Sequence, residues 1–367
     1  MHPELIVTNL KKRYTGVSGT INALMPVQSQ KLAIGFVGQN MPGVEQARKE
    51  HPDTVRHLGL GQAIALSLKH RISKDNPRKI IWHVRRDHEM MIAIFLRDVL
   101  RAPISIVFTS AAKHRHSFFP RWLIRQMDAV IATTPAAASF LGNTTSVVYH
   151  GASLTRFKPP ENQHTVWQES GLPGKYGIGV FGRIRPSKGT DIFVDAMIQV
   201  LPHHPDFTAI ITGDCLPQHQ SFKNGLIQKI KANHLESRIV FLGNLPPEEI
   251  PLWYQRVLIM VACPRYEPFG ITPLEAMASE CAVVASATGA FEDIVQEDQT
   301  GYVVPTDDAN ALAHRVGALM QDPEFAVQMG KAGHARVTQH FSIEHEAAGI
   351  QAVYDQLWNK DLQLADG

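Results

Sequence analysis

The chain has 367 residues, of which 19% are charged and 44% hydrophobic; that length suits two domains. No apolar run reaches the length of a membrane span, and no signal peptide is expected from His2-Pro3-Glu4. Residues 1–150 hold 20 Lys+Arg against 9 Asp+Glu, a net +11, while residues 151–367 hold 16 against 25, a net −9.

The basic first half is expected to meet an anionic partner or membrane surface. Nucleic acid would satisfy the same arithmetic, but the chain shows no nucleic-acid module, so none is expected as a partner. Cys215, Cys263 and Cys281 are odd in number and form no CxxC pair. They read as reduced core residues of a cytoplasmic protein rather than a disulfide framework or zinc site.

Leu5–Thr8 reads as a short strand, followed by the basic loop Lys11-Lys12-Arg13-Tyr14-Thr15-Gly16-Val17-Ser18-Gly19 and a helix from about Thr20. A glycine loop between a strand and a helix start can cradle phosphate on backbone amides. Gly16 and Gly19 serve that purpose here, or only make a tight turn. Strand-like runs at Ala33–Val37, Lys79–His83, Ile104–Phe108 and Ala129–Ala132 alternate with helical patterns such as Gly61–His70 and Met90–Leu100. That alternation indicates βαβ units and a parallel sheet. His83 ends a strand ahead of Arg85-Arg86, a position that suits a site, although closing a hydrogen bond is the commoner role of such a histidine.

From Val107 to Arg125 the chain interleaves Lys113, His114, Arg115, His116, Arg121 and Arg125 with Phe118, Phe119 and Trp122. Rings at an interface with cations on headgroups suit an anionic amphiphile. The same pattern also fits a solvated basic face whose aromatics pack inward.

In the second half, Gly177–Phe181 is a glycine-rich strand. Gly182-Arg183-Ile184-Arg185-Pro186-Ser187-Lys188-Gly189 leads from it into a helix near Thr190. Strands follow at Thr208–Gly213 and Arg238–Leu242. Val257–Cys263 is a continuous apolar run, as expected of a strand buried on both faces. The turn-rich loop after it carries Glu267, Phe269, Gly270 and Ile271. The helix from Thr272-Pro273 carries Glu275, and Cys281–Ala285 is a further strand. Thr272-x-x-Glu275 is also a capping box, which would satisfy Glu275 without a ligand. The paired histidines His114/His116 and His203-His204 lack a second pair or a carboxylate, so no metal is expected.

Arg183-x4-Lys188 together with Glu267-x7-Glu275, in the setting EPFGITPLEAM, resembles the signature of retaining GT-B glycosyltransferases of the large family that includes sucrose synthase and many lipid mannosyltransferases. VFTSAAKHRHS, PRWLI, MDAVIATT and NLKKRYTGVSGTI look most like bacterial lipopolysaccharide core mannosyltransferases. The resemblance implies two Rossmann-like doubly wound α/β domains facing across a cleft. Residues 1–155 would form an acceptor-side domain, 156–175 a linker and 176–340 a nucleotide-sugar domain. Residues 341–367 would form a helix crossing back to the first domain. Arg183 and Lys188 would grip the donor diphosphate, Glu267 the hexose and Glu275 the ribose. Gly16, Gly19, Gly182, Phe269, Gly270 and Ile271 would line the donor.

The family often carries a site histidine where this chain has Ala111, and His83, His114 or His116 is available to replace it. Lys113, His114, Arg115, His116, Arg121 and Trp122 would face the acceptor or the membrane. The implied reaction takes a hexose, mannose from GDP-mannose foremost, to an anionic lipid-linked saccharide such as a lipopolysaccharide core. It would need no cofactor and no metal, and would run on the cytoplasmic face of the inner membrane. UDP- or ADP-sugar donors, a soluble acceptor, a nucleotide-sugar epimerase and a non-catalytic binder remain open alternatives.

Overall fold

The computed structural model describes residues 2–11, 15–72 and 78–366. Lys12, Arg13 and Tyr14 of the basic loop lie outside the described residues. The chain divides into two compact units, one of Met1–His150 with Ile343–Gly367, the other of Gly151–Ser342.

The first unit is built on β1 (Leu5–Asn9), β2 (Ile34–Gly38), β3 (Val55–His57), β4 (Ile80–Val84), β5 (Ile104–Ser110), β6 (Ala129–Ala132) and β7 (Ser146–Val147). All pair in parallel, in the order β3-β2-β1-β4-β5-β6-β7. The central strands are nearly continuous Ile, Val, Leu and Phe because helices cover both faces. One apolar core lies under the helices Gly16–Gln28, Pro42–Glu50 and Ile343–Asp366. The other lies under Leu60–Lys69, Asp87–Ile94, Phe118–Arg125 and Pro135–Leu141. The sequence pattern showed neither outer strand. β3 and β7 are three and two residues long, and Arg56 and His57 are exposed, so neither offers an apolar run.

The last helix, Ile343–Asp366, lies within the expected 341–367. Ile350, Val353, Tyr354, Leu357 and Trp358 share a core with Leu5, Ile34 and Val107. Trp358 Nε1 donates to the Lys79 carbonyl at 3.0 Å, and Lys79 pairs with Asp361 at 3.0 Å.

The second unit holds β8 (Tyr176–Phe181), β9 (Phe207–Thr212), β10 (Ile239–Gly243), β11 (Val257–Ala262), β12 (Ala282–Ser286) and β13 (Gly301–Val304). They form one parallel sheet in the order β10-β9-β8-β11-β12-β13. The strand order reverses between β8 and β11, and an open α/β sheet binds ligands at the carboxyl ends beside such a reversal. Residues 156–175, expected as a linker, lie within this unit. Phe157 and Trp167 are buried, and Trp167 covers Gly177 so closely that a Cβ there would stand 2.2 Å from its ring.

Candidate active site

The second unit's candidate site forms where β8 and β11 end side by side. After β8 the chain runs through Gly182-Arg183, one tight turn at Pro186–Lys188, and Gly189, into the helix Thr190–Val200. Gly189 has φ 69°, and a Cβ there would sit 1.9 Å from the Cys263 carbonyl just past β11. Only glycine lets the two loops touch backbone to backbone. Cys263 Sγ donates to the Gly189 carbonyl at 3.2 Å, and burial pushes this thiol up to about 12, so it stays protonated.

Arg265 ties the same two loops. Its backbone N–H donates to Ser187 O at 3.1 Å. Its guanidinium forks onto Asp191 at 2.8 Å twice, reaches Asp307 at 2.9 Å and also donates to Pro186 O. The Asp191 hydrogen bonds above all hold Arg265 well above its ordinary pKa. The sequence reading missed this residue, because Asp191 and Asp307 stand 74 and 42 positions away.

Arg183, Lys188 and Glu267 line one small pocket with Gly182, Pro264 and Thr272. The Lys188 ammonium is hydrogen-bonded to the Glu267 carboxylate, with side chains only 26% and 15% exposed. A roomier hollow in the first unit, between Arg48, Lys49, Arg56 and His57, carries none of the motif residues. Phe269 is buried and its carbonyl accepts from Ala290 N at 2.9 Å. Gly270 lies against Phe291, and Ile271 caps the helix Thr272–Ala278. The turn at Thr288–Phe291 therefore backs the loop that carries Glu267.

The capping-box alternative for Glu275 does not form. Its Oε2 accepts instead from the Tyr254 hydroxyl at 3.1 Å, and Oε1 takes no hydrogen bond among the described residues. Tyr254, on the helix Ile250–Arg256, stacks on Phe181 with centroids 4.0 Å apart and meets Phe157 edge-on at 5.5 Å. Burial raises the Glu275 carboxyl above its ordinary value, opposed by the Tyr254 hydrogen bond and the Arg156 charge. Burial, followed by the Glu275 charge, drives Tyr254 well above its own. Tyr254 and Arg156 were also missed, since neither belongs to a motif.

In the first unit, the helix Gly16–Gln28 starts earlier than expected, so Gly16 and Gly19 lie in its first turn rather than in a loop. Ser18 Oγ accepts from Thr15 N at 3.2 Å, and Arg86 donates to Thr15 Oγ1 at 3.1 Å and to Asn9 Oδ1 at 2.7 Å. A Cβ at Gly16 would meet nothing, so internal packing gives no reason for that glycine. The buried Glu89 carboxylate completes this network with Thr8, Leu10 N, Arg85 N and Arg86.

His83 takes the bland role. It is buried, with Nδ1 at 2.5 Å from the Tyr354 hydroxyl and Nε2 at 2.7 Å from Thr109 Oγ1. Burial, and then the Arg85 charge, lower its pKa well below the ordinary value and keep it neutral. His114 and His116 lie together with rings 6.3 Å apart, His114 exposed and His116 half-buried, in the loop with Lys113 and Arg115. Arg121 and Trp122 lie on the exposed side of the helix Phe118–Arg125. Phe118, Phe119 and Trp122 are all exposed, so the alternative of inward-packed aromatics fails.

Residues 165–336, which include the Arg183–Glu275 site, match the family model "Glycosyl transferases group 1". The chain is 40% identical over 355 residues, 96% of each chain, to a lipopolysaccharide core biosynthesis mannosyltransferase, LpcC, of Rhizobium leguminosarum bv. viciae. The chain belongs to the group 1 glycosyltransferases. A second relative, the lipopolysaccharide core biosynthesis mannosyltransferase LpsB of Rhizobium meliloti (strain 1021), is also 40% identical, over 96% of this chain and 97% of its own. The solved structure of Anabaena Alr3699/HepE in complex with UDP and glucose matches 97% of this chain and 100% of that one with TM-score 0.76. At 19% identity that likeness shows the fold alone. This glycosyltransferase has the GT-B architecture of two parallel-sheet Rossmann-like units. Among its described residues no helix is long and apolar enough to cross a membrane.

Proposed function

We propose that this glycosyltransferase moves mannose from GDP-mannose, with retention at the anomeric carbon, onto a lipopolysaccharide core or a similar anionic lipid-linked saccharide at the cytoplasmic face of the inner membrane. The observation that carries the reading is end-to-end identity of 40% with two proteins named as lipopolysaccharide core biosynthesis mannosyltransferases.

The site supports it chemically. As the bond from the anomeric carbon to the diphosphate breaks, negative charge grows on the leaving oxygens. Arg183 and Lys188, which line the same pocket, would stabilise that charge more than they stabilise the bound donor. Glu267 would accept hydrogen bonds from mannose hydroxyls, and Glu275 Oε1 from the ribose. The acceptor oxygen attacks from the face that the diphosphate leaves, and its proton passes to a departing phosphate oxygen, which preserves the configuration. No metal and no cofactor enters this scheme. Gly182, Phe269, Gly270 and Ile271 would bring backbone close to the donor.

The test is a thermal-shift panel of GDP, UDP and ADP with their hexose conjugates, followed by transfer assays with the donor that binds. A ligand at 100 times its dissociation constant adds about 2.7 kcal/mol, which moves a melting curve by several degrees. Stabilisation by GDP and GDP-mannose alone supports the reading. Stabilisation by UDP or ADP sugars alone removes the mannose assignment, and sugar interconversion without acceptor would make the protein an epimerase.

A further inference from the structure

Among the described residues, half of the large apolar side chains left exposed lie on two helices of the first unit that pack against each other. On the helix from Asp87 to Ile94, which continues as a wider turn through Phe95–Val99, Met90, Ala93 and Leu96 face the core. Met91, Phe95 and Val99 follow one another four positions apart on the other side, all exposed, Val99 by 62%. On the helix Phe118–Arg125, Leu123 and Ile124 enter the same core. Phe118 (76% exposed), Phe119 and Trp122 face out, with the Phe119 and Trp122 rings stacked 6.2 Å apart. Exposed apolar side chains gathered on adjoining helices mark an interaction site.

The charge around these rings names the partner. Residues 99–127 contain Arg101, Lys113, Arg115, Arg121 and Arg125 and no Asp or Glu. The flanking carboxylates Asp98 and Asp128 are both held by Arg97, at 2.7 and 2.8 Å. Arg121 and Arg125 frame one shallow cleft with Phe118 and Trp122, and a second with Arg115 and Leu141–Asn143. We infer that the outer faces of the helices at 87–99 and 118–125 form a docking surface for an anionic lipid bilayer. The rings sit at the headgroup level, and the arginines hold lipid phosphates in the two clefts. A second copy of the chain is a poor occupant, because a two-fold contact would set Arg121 and Arg125 against their own images. The inference rests on the membrane location in the proposed function and names the surface that meets it, but does not depend on the donor or on the saccharide.

Trp122 supplies the probe. It is 45% exposed, whereas the most exposed of the other four tryptophans, Trp253, is 8%. The full-length protein is mixed with vesicles of phosphatidylglycerol and phosphatidylethanolamine whose acyl chains carry bromine. These vesicles contain no saccharide acceptor and no nucleotide sugar, so the outcome is independent of turnover. The expected result is quenching of the exposed-tryptophan emission, absent in Trp122→Phe and absent with phosphatidylcholine vesicles. Co-sedimentation should weaken at least about tenfold in Arg121→Glu/Arg125→Glu, since each cation near such a surface contributes on the order of 1 kcal/mol. Phe95→Glu/Phe118→Glu, both at exposed positions, should lose binding with an unchanged melting temperature. Equal binding to phosphatidylcholine, or quenching that survives in Trp122→Phe, would overturn the inference. So would self-association that these variants abolish while vesicles fail to bind.

Discussion

Lys188 and Glu267 touch each other, and the proposed reaction assigns them to different parts of the donor. A double-mutant cycle measures how far they act as one unit. Removing a fixed donor that stabilises transition-state charge costs about 2.7–4 kcal/mol, or roughly 100–1000-fold in kcat. If Lys188→Ala and Glu267→Ala each cost that much independently, the double variant would lose about 10,000–1,000,000-fold. Side chains in direct contact instead couple by about 0.5–3 kcal/mol. At about 1.36 kcal/mol per tenfold, the double variant should retain roughly 2–150 times more activity than the product of the single losses. The low exposure of the pair (26% and 15%) puts the expectation in the upper part of that range, because water screens it little. The assay is kcat for transfer from GDP-mannose, with melting temperatures to show that each variant folds. Single losses that multiply to within about 0.5 kcal/mol would refute the shared role. Lys188→Ala with undiminished kcat would refute the leaving-group role itself.

Three further outcomes follow from the same geometry. Burial raises the Glu275 carboxyl, so its stabilising contribution is present below the ordinary carboxylate range and is lost as pH rises through the folded value. Glu275→Gln should therefore raise the melting temperature of ligand-free protein at neutral pH while weakening nucleotide binding roughly 10–100-fold, as loss of a hydrogen bond to a charged group implies. A lower melting temperature with unchanged affinity would contradict both halves. Arg265→Met should cut kcat by about 10–100-fold through a loosened Pro186–Gly189 turn, and Arg265→Lys should rescue little because lysine cannot reproduce the planar fork; full activity in the lysine variant would count against the tie. His83 has a lowered pKa, so its contribution is present above the ordinary histidine value and is lost as pH falls through the folded value. Below about pH 6.5 the wild type should lose stability faster than His83→Gln, by up to about 1.36 kcal/mol per pH unit in denaturant titrations.

The sequence exposed those parts of the molecule in which spacing is itself the constraint. Arg183 and Lys188 flank a single turn, and Glu267 and Glu275 bracket one loop and the first turn of a helix. Their joint placement near one strand pair is therefore encoded locally. Buried parallel strands were equally plain, because both faces of β11 must be apolar. What spacing could not show was who meets whom across the fold. Tyr254 reaches Glu275 from another helix, Arg265 closes onto Asp191 and Asp307, and Tyr354 meets His83 across 271 positions. Nor did the residue type announce the backbone at Glu280, which takes φ 60°, a conformation that favours glycine. The stripe Met91, Phe95, Val99 was hidden because an apolar helix reads as core until its neighbours are known.

The helix Ile343–Asp366 gives this chain an unusual order of assembly on the ribosome. The first unit begins to emerge before the second, yet the side chains that finish its core, Tyr354 and Trp358 among them, are made only after the whole of the second unit. Until then β1 and β4 lack the cover those rings supply, and His83 lacks its Tyr354 partner. The second unit, by contrast, is a single uninterrupted stretch that can close as soon as Ser342 has left the exit tunnel. Completion therefore runs from the later unit to the earlier one. A nascent chain stalled before residue 343 would carry an unfinished apolar face for chaperones to hold, whereas a fragment of residues 151–342 would need no such help.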